Sequence, residues 1–65
     1  MIKINGEFAE NIAGKNITEY LTENGYDLKR LAVEVNGNIL PKAQYESTLL
    51  QDGDSVEIVS FVGGG

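Results

Sequence analysis

The chain has 65 residues and contains no cysteine, no histidine, one proline and one methionine. Without cysteine it has no disulfide and no thiolate metal site. Without histidine it lacks the commonest metal ligand, the commonest general base and the usual neutral-pH switch. No nucleophile–base pair can be assembled from what remains, and no cleft is expected in so small a domain. The expectation is a protein that is not an enzyme and binds no cofactor of its own. Basic residues are also scarce, five against ten acidic ones, for a net charge of −5. Nucleic-acid phosphates and anionic membrane surfaces both demand a basic face, so neither is expected as a partner. The acidic balance fits docking on a basic protein. No apolar run is long enough to span a bilayer and no signal-peptide pattern opens the chain, so a cytoplasmic protein is expected.

What is present is a short, strongly patterned chain. A domain of this length buries only about 60% of the surface its unfolded chain exposes, so its core is a single layer between two elements. Residues 1–5 alternate, with Ile2 and Ile4 on one face. Asn5-Gly6 then supplies the strongest short hairpin signal, because a type I′ turn needs positive φ at both central residues. Residues 7–12 are predicted to return as a strand, with Phe8 its main apolar contributor. Asn16 followed by Glu19 matches a capping box, and Ile17, Tyr20 and Leu21 recur at helical spacing. Asn24-Gly25 supplies a stop, which predicts a helix over 17–24. Two turns of helix are marginal alone, so its apolar stripe must lie on a sheet.

Residues 31–35 alternate again, with Leu31, Val33 and Val35 on one face, and Asn36-Gly37 repeats the hairpin signal. A short strand at 39–40 ends at Pro41, which cannot donate to a ladder. Residues 42–50 are predicted to be a 3₁₀ turn and loop that drops one or two side chains into the core. Residues 51–54 form a turn. Asp52-Gly53-Asp54 lacks the later ligands of a calcium loop, so no metal is expected there. Tyr20, Tyr26 and Tyr45 show no base-stacking pattern on a basic surface, and Tyr20 is assigned to the helix core face. Residues 55–62 form the last and best-patterned strand, with Val56 and Ile58 facing one way and Glu57, Val59 and Phe61 the other.

Two hairpins separated by a helix give an α+β fold, a mixed sheet of four to five strands with one short α-helix packed on one face. The last strand is expected to lie centrally and parallel to the first, joined by a right-handed crossover. This is the ubiquitin-like β-grasp arrangement, over residues 1–62, followed by a glycine tail at 63–65. Gly63-Gly64-Gly65 has no side chains to obstruct a narrow channel, which points to the terminal carboxylate as the working group. Val59 and Phe61, with Val62 and Glu57, stand beside that tail and are the candidate partner-binding residues. Ile39 and Leu40 are candidates to extend that patch.

Three stretches together resemble the ThiS family of bacterial sulfur carriers in thiamin biosynthesis. They are Val33-Glu34-Val35-Asn36-Gly37-Asn38-Ile39-Leu40-Pro41, the run from Leu50-Gln51-Asp52-Gly53-Asp54 to Val59, and the glycine terminus. Ile4-Asn5-Gly6-Glu7 and residues 17–21 are also similar to that family. The family's terminus is Gly-Gly, matched by Gly64 and Gly65, and Gly63 is an extra glycine. The resemblance implies a carrier whose last glycine, here Gly65, is adenylylated by a ThiF-like enzyme that uses ATP and Mg²⁺. A sulfur donor such as a cysteine desulfurase then converts it to a thiocarboxylate, and a ThiG-like thiazole synthase takes the sulfur. The same tail chemistry serves a molybdopterin synthase small subunit or a ubiquitin-like modifier. A non-catalytic β-grasp binding module is the reading from a different class.

Overall fold

A computed structural model describes residues 1–61. Five strands, β1 (Ile2–Ile4), β2 (Glu7–Ala9), β3 (Leu31–Val35), β4 (Asn38–Ile39) and β5 (Ser55–Ser60), form one sheet in the order β2-β1-β5-β3-β4. One helix, α1 (Ile17–Glu23), and 3₁₀ turns at Leu28–Arg30 and Lys42–Gln44 complete the described chain. β5 is central, parallel to β1 and antiparallel to β3. This is the ubiquitin-like β-grasp topology.

Two Asn-Gly turns set the sheet register. Asn5 and Asn36 take φ of 52° and 53°, and Gly6 and Gly37 follow at 83° and 85°. Asparagine tolerates this left-handed region and glycine meets no penalty there. The first turn pairs Ile4 with Glu7 and Ile2 with Ala9. The second pairs Val35 with Asn38.

Asparagine also contributes its side chain at both turns. The β1–β5 ladder proceeds through Lys3 N–H to the Asp54 carbonyl and Asn5 N–H to the Val56 carbonyl. At the next rung the main chain of β1 has already turned away. Asn5 Oδ1 takes the place of the missing carbonyl and accepts the Ile58 N–H at 2.7 Å. Asn36 Oδ1 likewise accepts the Ser55 N–H at 2.9 Å, while its Nδ2 donates to Asp54. Replacing Asn5 by Gly keeps the turn's φ but orphans a part-buried donor, so urea unfolding should show a loss of about 1–2 kcal/mol. Asn5→Asp keeps the acceptor and should lose less.

One face of the sheet carries Ile2, Ile4, Leu31, Val33, Val56 and Ile58, and all are buried. α1 lays Ile17 and Leu21 onto them, with Tyr20 partly buried at the margin. The capping box is formed: Asn16 Oδ1 accepts the Glu19 N–H at 2.8 Å and Glu19 Oε1 accepts the Asn16 N–H at 3.0 Å. The loop after β4 satisfies a further donor at the helix start, because Ile17 N–H donates to the Tyr45 and Thr48 carbonyls. That loop delivers Tyr45 and Leu50 into the core as expected. Burial pushes the Tyr45 phenol up from its ordinary value. Among the described residues no charged side chain is buried, and the Tyr45 phenol is the one titratable group in the core.

Several boundaries differ from expectation. The returning strand stops at Ala9 rather than residue 12, because Ala9 already pairs with Ile2 at the start of β1. Asn11 then turns at φ 63° and Ile12 drops into the core. The helix ends at Glu23, with Asn24 as its cap, and the short strand is Asn38–Ile39 rather than 39–40. β5 is assigned to Ser60, and Val62 lies outside the described residues.

Candidate functional site

The sheet face opposite the helix is open, and alternation along each strand fixes what it displays. On β5 the buried Val56 and Ile58 alternate with exposed Ser55, Glu57 and Val59, and Phe61 continues the exposed row. Val59 and Phe61 are each 53% exposed. Val59 stands opposite Ala32 on β3, and Glu57 stands opposite Glu34. Glu34 in turn faces Ile39 on β4, which is 75% exposed. On the far side Lys3 pairs with Phe8, and its ammonium lies 5.3 Å from the Phe8 ring centroid. The face therefore has an apolar end at Val59 and Phe61, an acidic pair at Glu57 and Glu34, and an apolar flank at Ile39.

The glutamate pair has an energetic consequence. Like charges directly opposite on a strand pair destabilise a sheet. No ion pair is formed by either glutamate among the described residues. The ion pairs that do form lie elsewhere: Lys15 with Glu23 at 2.8 Å, Arg30 with Asp27 at 3.8 Å, and the N-terminal ammonium with Asp52. The Glu23 carboxylate raises the Lys15 ammonium, and the N-terminal ammonium lowers the Asp52 carboxyl. Asp52 and Asp54 sit in the turn before β5, where Asp54 accepts from Gln51 N–H and Asn36 Nδ2. They are turn residues with assigned partners.

Of the residues singled out from sequence, Glu57, Val59 and Phe61 are brought together on this open face. Val62 and the tail residues Gly63, Gly64 and Gly65 lie outside the described residues. Ile39 joins the face, but Leu40 does not: it packs against the core, and its N–H donates to the Val33 carbonyl at 2.9 Å. Phe8, the main apolar residue of its strand, is 62% exposed and shares the open face with Lys3. Both placements follow from turn arithmetic. A two-residue turn at 5–6 sets residue 8 opposite residue 3, away from Ile2 and Ile4. The turn at 36–37 sets residue 40 opposite Val33. Glu34 was missed because a single strand gives no sign of which residue will stand opposite it.

The ThiS family profile matches residues 2–65. A sulfur carrier protein ThiS from Thermus thermophilus is 37% identical over 65 residues, covering 100% of both chains. A thiazole synthase from Paramagnetospirillum magneticum is 44% identical over 62 residues, and that match takes in 95% of this chain. The chain spans only 19% of the length of that thiazole synthase. The crystal structure of a thiamine biosynthesis protein (ThiS) from Geobacter metallireducens superposes with a TM-score of 0.78 at 31% identity, covering 98% of this chain and 97% of that one. No described helix is long and apolar enough to cross a membrane.

Proposed function

The chain belongs to the ThiS family, and from that premise we propose that it carries sulfur for thiazole formation as a thiocarboxylate on Gly65. The observation that carries the reading is the family match, which runs through residue 65. The chemistry suits a terminal glycine. A carboxylate repels nucleophiles. Attack of its oxygen on the α-phosphorus of ATP expels pyrophosphate and leaves an acyl adenylate, with Mg²⁺ and the catalytic groups supplied by a ThiF-like partner. A persulfide sulfur then attacks the acyl carbon and AMP leaves. A thiol cleaves the resulting S–S bond, and sulfur remains on Gly65. Glycine offers the least hindered acyl carbon and no stereocentre to scramble while activated. The domain's part is to be recognised and to present that end, as a substrate of its partners rather than as a catalyst, in the cytoplasm.

The open sheet face supports the recognition step. Val59 and Phe61 lead into residues 62–65, so a partner that holds Gly65 meets them first. A basic side chain on the partner would relieve the repulsion between Glu57 and Glu34. Val59→Asp is expected to weaken adenylylation about ten-fold or more in kcat/KM, because it places a charge in a desolvated contact. Its thermal unfolding should stay close to that of the unaltered chain, since Val59 is half exposed. Equal adenylylation kinetics would remove Val59 from the interface.

A complementation experiment tests the assignment of pathway. Co-expressed with its own activating enzyme and thiazole synthase, the chain should restore thiamin-independent growth to cells lacking their carrier. Rescue of molybdopterin synthesis instead would move it to the related carrier, and lysine-linked conjugates would make it a modifier.

A further inference from the structure

β5 is central for only part of its length. Bonds from Asn36 N–H to the Ser55 carbonyl and from Phe61 N–H to the Arg30 carbonyl mark the odd-numbered residues as those bonded to β3. The even-numbered residues point their main-chain groups toward β1. There Val56 is paired with Ile4, and the Ile58 N–H is taken by Asn5 Oδ1. Beyond that rung β1 is absent. Among the described residues, nothing pairs with the Ile58 carbonyl or the Ser60 N–H.

We infer that an extended main-chain segment of the adenylylating partner completes β5 at this edge, accepting from Ser60 N–H and donating to the Ile58 carbonyl. The inference rests on the carrier reading of Gly65. Residues 62–65 can span at most about 14 Å when fully extended. A partner that encloses the Gly65 carboxylate must therefore come up against the end of β5, where the open rung lies. Strand addition at such an edge gives affinity through the main chain and orientation through alternate side chains. It would hold the strand that leads into the tail straight, aiming the carboxylate along the line of β5. Side chains of the added strand that face outward would lie beside Val59, Phe61 and Glu57, which joins this edge to the open sheet face.

Amide hydrogen exchange of the full chain, alone and with its adenylylating enzyme, reads the edge directly. In the free protein the Ser60 amide should exchange much faster than the Ile58 amide. Saturating enzyme without ATP should slow Ser60 at least ten-fold. Ser60→Pro removes the outward N–H and breaks no bond to β3, and it should lower kcat/KM for adenylylation roughly ten-fold. Should that variant fail to fold by circular dichroism, an ester in place of the Val59–Ser60 amide, installed by ligation of a synthetic segment, should give the same loss. The all-amide chain assembled in the same way is its reference.

Normal adenylylation of the chain together with a fast-exchanging Ser60 in the complex, or with an unaffected ester variant, overturns the edge and leaves the carrier reading standing. Protection that grows with the carrier's own concentration, or only with thiazole synthase, also overturns it. Failure of the unaltered chain to be adenylylated by a demonstrably active enzyme overturns the carrier reading itself.

Discussion

Removing Gly65 is expected to abolish sulfur acceptance while leaving the fold intact. The shortened chain still ends in a glycine carboxylate, so the loss would come from position and not from chemistry. Each residue advances an extended chain by about 3.3–3.6 Å. Misplacing a reacting group by about 1 Å can already cost a hundred-fold in rate. A carboxylate short by a full residue should therefore lose pyrophosphate exchange with ATP by at least two to three orders of magnitude. The buried cluster extends only from Ile2 to Ile58, so the same variant should unfold at the temperature of the full chain. Retained exchange would mean that the partner does not discriminate the position of the terminal carboxylate. A large drop in unfolding temperature would make the tail a structural element.

Leu21→Ala is expected to unfold a large share of the molecules. Leu21 is fully buried, at 0% exposure, in a helix of seven residues that cannot persist without packing. Truncating a buried leucine costs about 3–5 kcal/mol, through lost transfer energy and the cavity left behind. A domain of this size has roughly 3–10 kcal/mol in total. At about 4–8 °C per kcal/mol, the melting temperature should fall by more than about 12 °C. Leu49→Ala is the comparison, because Leu49 is half exposed and its truncation should cost less than about 0.5 kcal/mol. A Leu21→Ala change under 1 kcal/mol would mean that the helix does not carry the core. The two variants separate the halves of the molecule, since one keeps the fold and loses the chemistry and the other loses the fold with the tail intact.

Much of this architecture could be read from the sequence because local signals agree with one another. The two Asn-Gly turns, the Asn16–Glu19 capping box and the alternation of residues 31–35 and 55–60 each report one element through its own period or cap. The parallel pairing of β1 with β5 followed from placing the best-patterned strand at the centre. Less was legible where the outcome depends on a partner strand. Phe8 is the largest apolar group in its strand, and nothing local tells which face it takes; the register at Asn5-Gly6 turns it outward with Lys3. Leu40 looked exposed beside Pro41, yet it faces Val33. The roles of Asn5 and Glu34 are contacts across 53 residues in one case and across a strand pair in the other, and neither leaves a trace in local sequence. The 3₁₀ turn at Leu28–Arg30, capped by the Asp27 side chain, likewise carries no periodicity to announce it.

Intact-mass measurement after incubation with the activating enzyme, ATP, Mg²⁺ and a persulfide donor, with fragmentation to locate the change, tests the carrier reading most directly. The expected result is one oxygen replaced by one sulfur, confined to Gly65. An unchanged mass while the enzyme demonstrably turns over a known carrier, or sulfur found on any other residue, would contradict it.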